Sequence, residues 1–161
     1  MTSLLESCSA LPELTLASGT VLLDEGTRSG KLYILIDGEV QILRGDVEVA
    51  TVSEPGSVFG EMSILLDVPH TATVKALAPT RAYVVENAEV FLSSSPEVLR
   101  HIGRLLAFRL QSASGYLADL KRQFADSRNH LGMVDEVLES LLHQQDGGFT
   151  PGSDREADPR L

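Results

Sequence analysis

Between residues 14 and 86 the apolar positions come in short runs separated by Gly, Pro and Asp. The runs at 20–23, 31–36, 39–43, 47–52, 72–77 and 81–86 are rich in β-branched and aliphatic residues, and several alternate polar with apolar. Asp37-Gly38 reads as a hairpin turn, and Gly45-Asp46 as another. Residues 24–26, 54–57 and 78–80 read as further turns. Short strands recurring at intervals of about 8 to 12 residues predict an antiparallel sandwich or barrel.

After residue 86 the period changes. Residues 87–92 read as a short helical turn. Ser95, Pro96 and Glu97 then supply an N-cap, a first helical position and a first-turn acid. Val98, Leu99, Ile102, Leu105, Leu106 and Leu110 follow as a stripe at helical spacing. A second helix is expected to start after residues 112–115. Along it, Leu117, Leu120, Phe124, Ser127, Leu131, Val134, Leu138 and Leu141 recur at three- and four-residue steps, and all but Ser127 are apolar. That is a coiled-coil seam. A helix of about 28 residues reaches roughly 40 Å, more than is needed to cover a small sandwich. The simplest partner for such a seam is a second copy of the chain. Each Leu or Val fully buried there contributes about 1.5–3 kcal/mol toward offsetting the cost of association.

At the N-terminus, Leu4, Leu5, Cys8 and Leu11 fit one face of a helical segment that Pro12 ends. Residues 145–161 are rich in Gly, Pro and Asp and read as a flexible tail. The expected organisation is an N-terminal helical segment (1–13), a mainly β sandwich or jelly roll with flanking helices (14–111), a long C-terminal dimerising helix (112–144) and the tail (145–161).

Composition narrows the class. The 161 residues suit one domain, and 5% aromatics with no Trp imply a mostly aliphatic core. A single cysteine, Cys8, excludes an internal disulfide and fits a reducing compartment. No apolar run approaches the ~20 residues a membrane span needs. No basic residue precedes Leu4-Leu5, so the start does not read as a signal peptide. A cytoplasmic protein is expected. The net charge of −10 argues against a broad nucleic-acid-binding face. The four histidines, His70, His101, His130 and His143, show no metal-ligand spacing, and no nucleophile-elbow, Walker or Cys-x-x-Cys motif occurs. Neither an enzyme nor a metal protein is expected.

The candidate chemistry lies at residues 59–76, FGEMSILLDVPHTATVKA. Gly60 allows backbone N–H groups to approach a ligand closely, and a turn of such groups wraps an anion. A carboxylate one residue later, Glu61, can accept from a sugar hydroxyl. The implied guest carries both a phosphate and a ribose. Phe59, Gly60, Glu61, Ser63, Leu65, Pro69, Thr71, Ala72, Thr73 and Val74 together resemble the phosphate-binding cassette of the cyclic-nucleotide-binding domain family. Residues 32–40, Gly26 and Pro55-Gly56 are similar to that family's strand-turn and turn glycines, so the resemblance spans roughly residues 14–111.

The resemblance implies a cyclic nucleotide, cAMP first and cGMP second, at Gly60, Glu61, Met62, Ser63, His70, Thr71 and Ala72. Glu61 would accept from the ribose 2′-hydroxyl, and Thr71 and Ala72 would give a hydroxyl and an amide to the cyclic phosphate. It also implies a dimeric regulator that works through an effector protein. The chain ends after the long helix and tail, so a DNA-reading domain is expected to be absent.

One position departs from the pattern: His70 stands where the family has a phosphate-binding Arg. Imidazole, with an ordinary pKa near 6.5, is mostly neutral at pH 7. Losing a charge-assisted bond costs about 1.5–3 kcal/mol, or roughly 10- to 150-fold in affinity. Three outcomes stay open. His70 donates to the phosphate and binding is weaker or pH-dependent; or the pocket takes another ligand, haem with Cys8 or Met1 as second axial group included; or the pocket is vestigial and the chain is a nucleotide-independent dimeric adaptor.

Overall fold

The computed structural model describes residues 3–124 and 128–143, with the backbone alone at 128–131 and 143. The chain divides into two compact units, Met1–Gly103 and Arg104–Leu161.

The first unit opens with α1 (Leu4–Ser7) and continues through eight strands: β1 (Glu13–Leu16), β2 (Val21–Leu23), β3 (Leu32–Asp37), β4 (Val40–Arg44), β5 (Val47–Val52), β6 (Val58–Phe59), β7 (Thr73–Ala76) and β8 (Thr80–Val85). Helix α2 (Glu61–Leu66) lies between β6 and β7; α3 (Ala88–Ser94) and α4 (Pro96–Gln123) follow β8. All strand pairs are antiparallel and form two sheets, β1-β8-β3-β6 and β2-β7-β4-β5. This is the expected β sandwich with a long helix after it.

Alternation along the strands builds the interior. Leu23, Tyr33, Leu35, Val40, Val74, Ala76 and Val84 join one buried apolar cluster, in which Tyr33 and Phe59 are the aromatic members. Leu32 and Ile34 point to the opposite face of β3 and are fully buried too. The helical residues Leu4, Cys8, Ala88, Leu92, Val98 and Ile102 are also buried, as a sheet covered by helices on its outer face requires. Helix α1 is shorter than the 1–13 segment expected. A capping box between Ser3 and Glu6 starts it, and it stops at Ser7.

Asp37-Gly38 is not a hairpin. Strand β3 pairs with β8 and β6, whereas β4 pairs with β5 and β7, so the chain changes sheets at this corner. Gly38 has φ 107°, and a Cβ there would sit 2.5 Å from Thr80 Oγ1 and 2.6 Å from Thr80 Cα. The dipeptide supplies positive φ in either setting; what decides is the fully buried Thr80 pressed against it. Gly45-Asp46 does close a two-residue hairpin, with Arg44 paired to Val47 and Gly45 at φ 61°. At the sheet edge Arg81 bridges Glu13 at 2.8 Å and Asp37 at 2.5 Å, tying β1, β8 and β3 together.

The second unit corrects the helix boundaries. α4 does not stop at residues 112–115 but runs through Gly115 to Gln123, and α5 spans Arg128–His143. The single helix expected over 112–144 is therefore two. Lys121 Nζ pairs with the Asp135 carboxylate. In one straight helix a separation of 14 residues would hold them roughly 21 Å apart, so α4 and α5 are not one straight helix. Three- and four-residue spacing specifies an apolar helix face but not where the chain turns. Leu117, Leu120, Val134 and Leu138 are half-buried, whereas Phe124 and Leu141 are exposed. Ser127, the Leu131 side chain and the expected tail at 145–161 lie outside the described residues.

Candidate functional site

Strand β6 ends at Gly60, whose φ of 99° turns the chain directly into α2. A Cβ at this position would meet the Lys31 carbonyl oxygen at 2.5 Å. Close passage of the chain before β3 therefore requires glycine in its own right. Gly60 has no side chain to cap α2, and its first turn carries no side-chain cap. Glu61 follows at 5% exposure, an unusual place for a carboxylate. Met62 is exposed, while Ser63 is buried with its Oγ donating to the Val68 carbonyl at 2.5 Å. That bond closes the end of α2, where Asp67 takes the left-handed conformation.

The loop between β2 and β3 packs on this segment. Arg28 Nη1 donates to Asp67 Oδ1 at 2.9 Å and Nη2 to the Asp67 carbonyl at 3.2 Å. The Gly26 amide donates to the His70 carbonyl at 2.9 Å, and the His70 amide donates to the Thr27 carbonyl at 2.8 Å. His70 is buried. Its Nε2 lies 2.7 Å from Ser29 Oγ and accepts from the Ser29 amide at 3.4 Å. Ser29 Oγ itself accepts from the Lys31 amide at 3.2 Å. An accepting Nε2 belongs to a neutral imidazole carrying its proton on Nδ1. Burial lowers the His70 pKa from the ordinary imidazole value, in the same direction.

Thr71 and Ala72, both half-buried, lead into β7. Arg44 Nε, from the end of β4, donates to the Thr71 carbonyl at 3.2 Å. Thr73 Oγ1 accepts from the Glu25 amide at 3.1 Å, and the Glu25 carboxylate accepts from the Gly45 amide at 2.8 Å.

The expected residues thus sit at the two ends of one excursion between β6 and β7: Gly60, Glu61, Met62 and Ser63 at its start, His70, Thr71 and Ala72 at its finish. The Ser63 hydroxyl and the His70 ring are engaged within the protein. Ser29, Arg28 and Arg44 escaped sequence reasoning because each comes from a part of the chain distant in sequence, the first two from the β2–β3 loop and Arg44 from the end of β4. Cys8, weighed as an axial ligand, is fully buried, and burial pushes its thiol up to about 11, which disfavours the thiolate. Among the described residues no cluster of three or more metal-ligating side chains occurs, and no helix is long and apolar enough to cross a membrane.

Residues 13–91 match the cyclic nucleotide-binding domain. The CRP-like cAMP-activated global transcriptional regulator of Mycobacterium tuberculosis is 32% identical over 136 residues, covering 81% of this chain and 60% of that protein. The chain thus spans about 60% of the length of the curated relatives it first matches. Among solved structures, the N-terminal domain of a transcriptional regulator from Streptomyces coelicolor A3(2) aligns with TM-score 0.50 at 31% identity, over 67% of this chain and 81% of that one. The catabolite activator protein of Thermus thermophilus aligns with TM-score 0.60 at 24% identity, over 71% of this chain and 57% of that one, a likeness of fold.

Proposed function

The chain belongs to the cyclic nucleotide-binding domain family, and on that premise we propose that it binds a cyclic nucleotide, cAMP before cGMP, as a regulator rather than a catalyst. The carrying observation is a carboxylate, Glu61, held at 5% exposure directly after a left-handed glycine. The same excursion brings up the Thr71 hydroxyl and the Ala72 amide. In this reading Glu61 accepts from the ribose 2′-hydroxyl, and Thr71 and Ala72 hold the cyclic phosphate. Gly60 gives room for approach, and Met62 lies exposed beside it. Ser63 and His70 hold the segment in shape: the first closes α2, the second fastens the β2–β3 loop.

The output follows from the second unit. Phe108, Tyr116, Phe124, Met133 and Leu142 are each more than half exposed, an apolar surface that favours self-association. We place the homodimer contact on α4 and α5, with Leu117, Leu120, Phe124, Leu131, Val134, Leu138 and Leu141 along the seam. A ligand drives such a dimer only through its difference in affinity between two arrangements. We take the partner to be an effector protein in the cytoplasm; the net charge of −10 weighs against a broad nucleic-acid-binding face.

Calorimetric titration with cAMP and cGMP at pH 7.5 tests the reading. Saturable heat below about 1 mM ligand, about 4 kcal/mol of binding free energy, is the expected result. Absence of heat at that concentration ends the nucleotide reading. The nucleotide-independent dimeric adaptor then takes its place, a reading favoured by the engagement of the His70 ring with Ser29 at the position where the family has a phosphate-binding Arg.

A further inference from the structure

A cyclic phosphate in this pocket brings a negative charge close to the buried Glu61 carboxylate, and the usual cation is absent. His70 accepts at Nε2 from Ser29 and carries no charge in that arrangement. Arg28 already faces the Asp67 carboxylate. Arg44 differs from both. In the β4–β7 register Val40 pairs with Ala76, Ile42 with Val74 and Leu43 with Thr73. One step further sets Arg44 opposite Ala72. Strand alternation puts Arg44 on the same side as Val40 and Ile42, and Val40, Val74 and Ala76 line the sandwich interior with Ile42 packed against them. Arg44 therefore lies on the same side as that row, at the end of the strand where it is exposed. Its Nε donates to the Thr71 carbonyl, and it forms no ion pair among the described residues.

That carbonyl belongs to the peptide whose N–H is Ala72. No peptide among the described residues is cis, so the carbonyl and the N–H point in opposite directions across one rigid plane. A guanidinium on the oxygen fixes the tilt of that plane and polarises it, making the N–H a stronger donor. The Ala72 N–H finds no acceptor among the described residues.

We propose that Arg44 is a positioning residue for anion recognition: from the carbonyl side it orients and polarises the Thr71–Ala72 peptide, so that the Ala72 amide is presented to the phosphate. The cation the segment lacks at His70 thus acts from the neighbouring strand, behind the peptide rather than on the ligand. This rests on the nucleotide reading and assigns the part of the pocket that meets the phosphate.

Wild type, Arg44→Ala, Arg44→Gln and Arg44→Lys are titrated with cAMP, and the Ala72 amide resonance is followed by NMR in each. Loss of the guanidinium is expected to weaken cAMP about 10- to 100-fold in both Ala and Gln variants, with Lys recovering most of it. The unliganded Ala72 amide proton should move upfield in Ala and Gln but not in Lys, while thermal midpoints stay close to wild type. Equal affinity in wild type and Arg44→Ala overturns the assignment and leaves the nucleotide reading standing. An unmoved Ala72 resonance, or a Lys variant as weak as Ala, overturns it as well. If wild type binds neither cAMP nor cGMP, the nucleotide reading falls and this assignment falls with it.

Discussion

The Nε2 atom of His70 lies 2.7 Å from the hydroxyl of Ser29, 41 residues away in sequence, and accepts from the Ser29 amide at 3.4 Å. Protonating Nε2 would turn a donor toward the Ser29 amide, which is also a donor.

Stability is therefore expected to be pH-dependent through His70. Its folded pKa is lowered from 6.5 by burial, so the unfolded chain binds the proton more readily. The contribution is fully present above about pH 6.5 and is lost as pH falls toward the folded pKa. Urea denaturation at pH 7.5, 6.5 and 5.5 should show a steeper fall for wild type than for His70→Gln. Parallel curves would remove His70 as the cause.

Gly38 and Gly60 are expected to resist substitution for a shared reason. At each, φ is positive and a Cβ would come within 2.6 Å of backbone, Thr80 Cα in one case and the Lys31 oxygen in the other. Backbone strain of this kind costs about 1–3 kcal/mol, and the overlap adds to it. Gly38→Ala and Gly60→Ala should each lower the denaturation midpoint clearly. Gly45→Ala, where a Cβ meets nothing within 4 Å, should cost only the positive-φ penalty of about 1 kcal/mol.

Cys8 is expected to be inert while the protein is folded. It is fully buried, and its thiol pKa is pushed up to about 11, which leaves almost no thiolate at pH 8. Iodoacetamide should label it only once urea unfolds the chain. Rapid labelling of the native protein would mean that α1 opens readily.

Self-association through the helical unit predicts that Tyr116→Ser with Phe124→Ser shifts the mass by light scattering from twice 17.4 kDa toward the monomer. Both residues are more than half exposed, so their replacement spares the core. A wild type that is monomeric at high concentration would refute the dimer.

The sandwich was legible because alternation and turn residues are local signals: runs at 31–36, 47–52 and 81–86 became β3, β5 and β8 within a residue or so. What escaped depends on distant partners. Asp37-Gly38 carries the same local chemistry whether it closes a hairpin or moves the chain between sheets, and Thr80 settles which. Strand β6 has two residues, too few to show a period. The seam from Leu117 to Leu141 keeps its spacing from α4 into α5, with Ser127 the lone polar break in it. At the site, Glu61 and Thr71 were readable as a pattern. The roles of Ser29 and Arg44 exist only through tertiary contacts, from the β2–β3 loop in one case and the end of β4 in the other.

The paired backbone bonds between His70 and the Gly26–Thr27 segment, with the Arg28–Asp67 bridge beside them, join two distant pieces of chain into one mechanical body. Opening the cassette must carry the β2–β3 loop with it. The amides of Gly26 and His70 should then exchange with deuterium at a common rate, and a guest that tightens one should slow both.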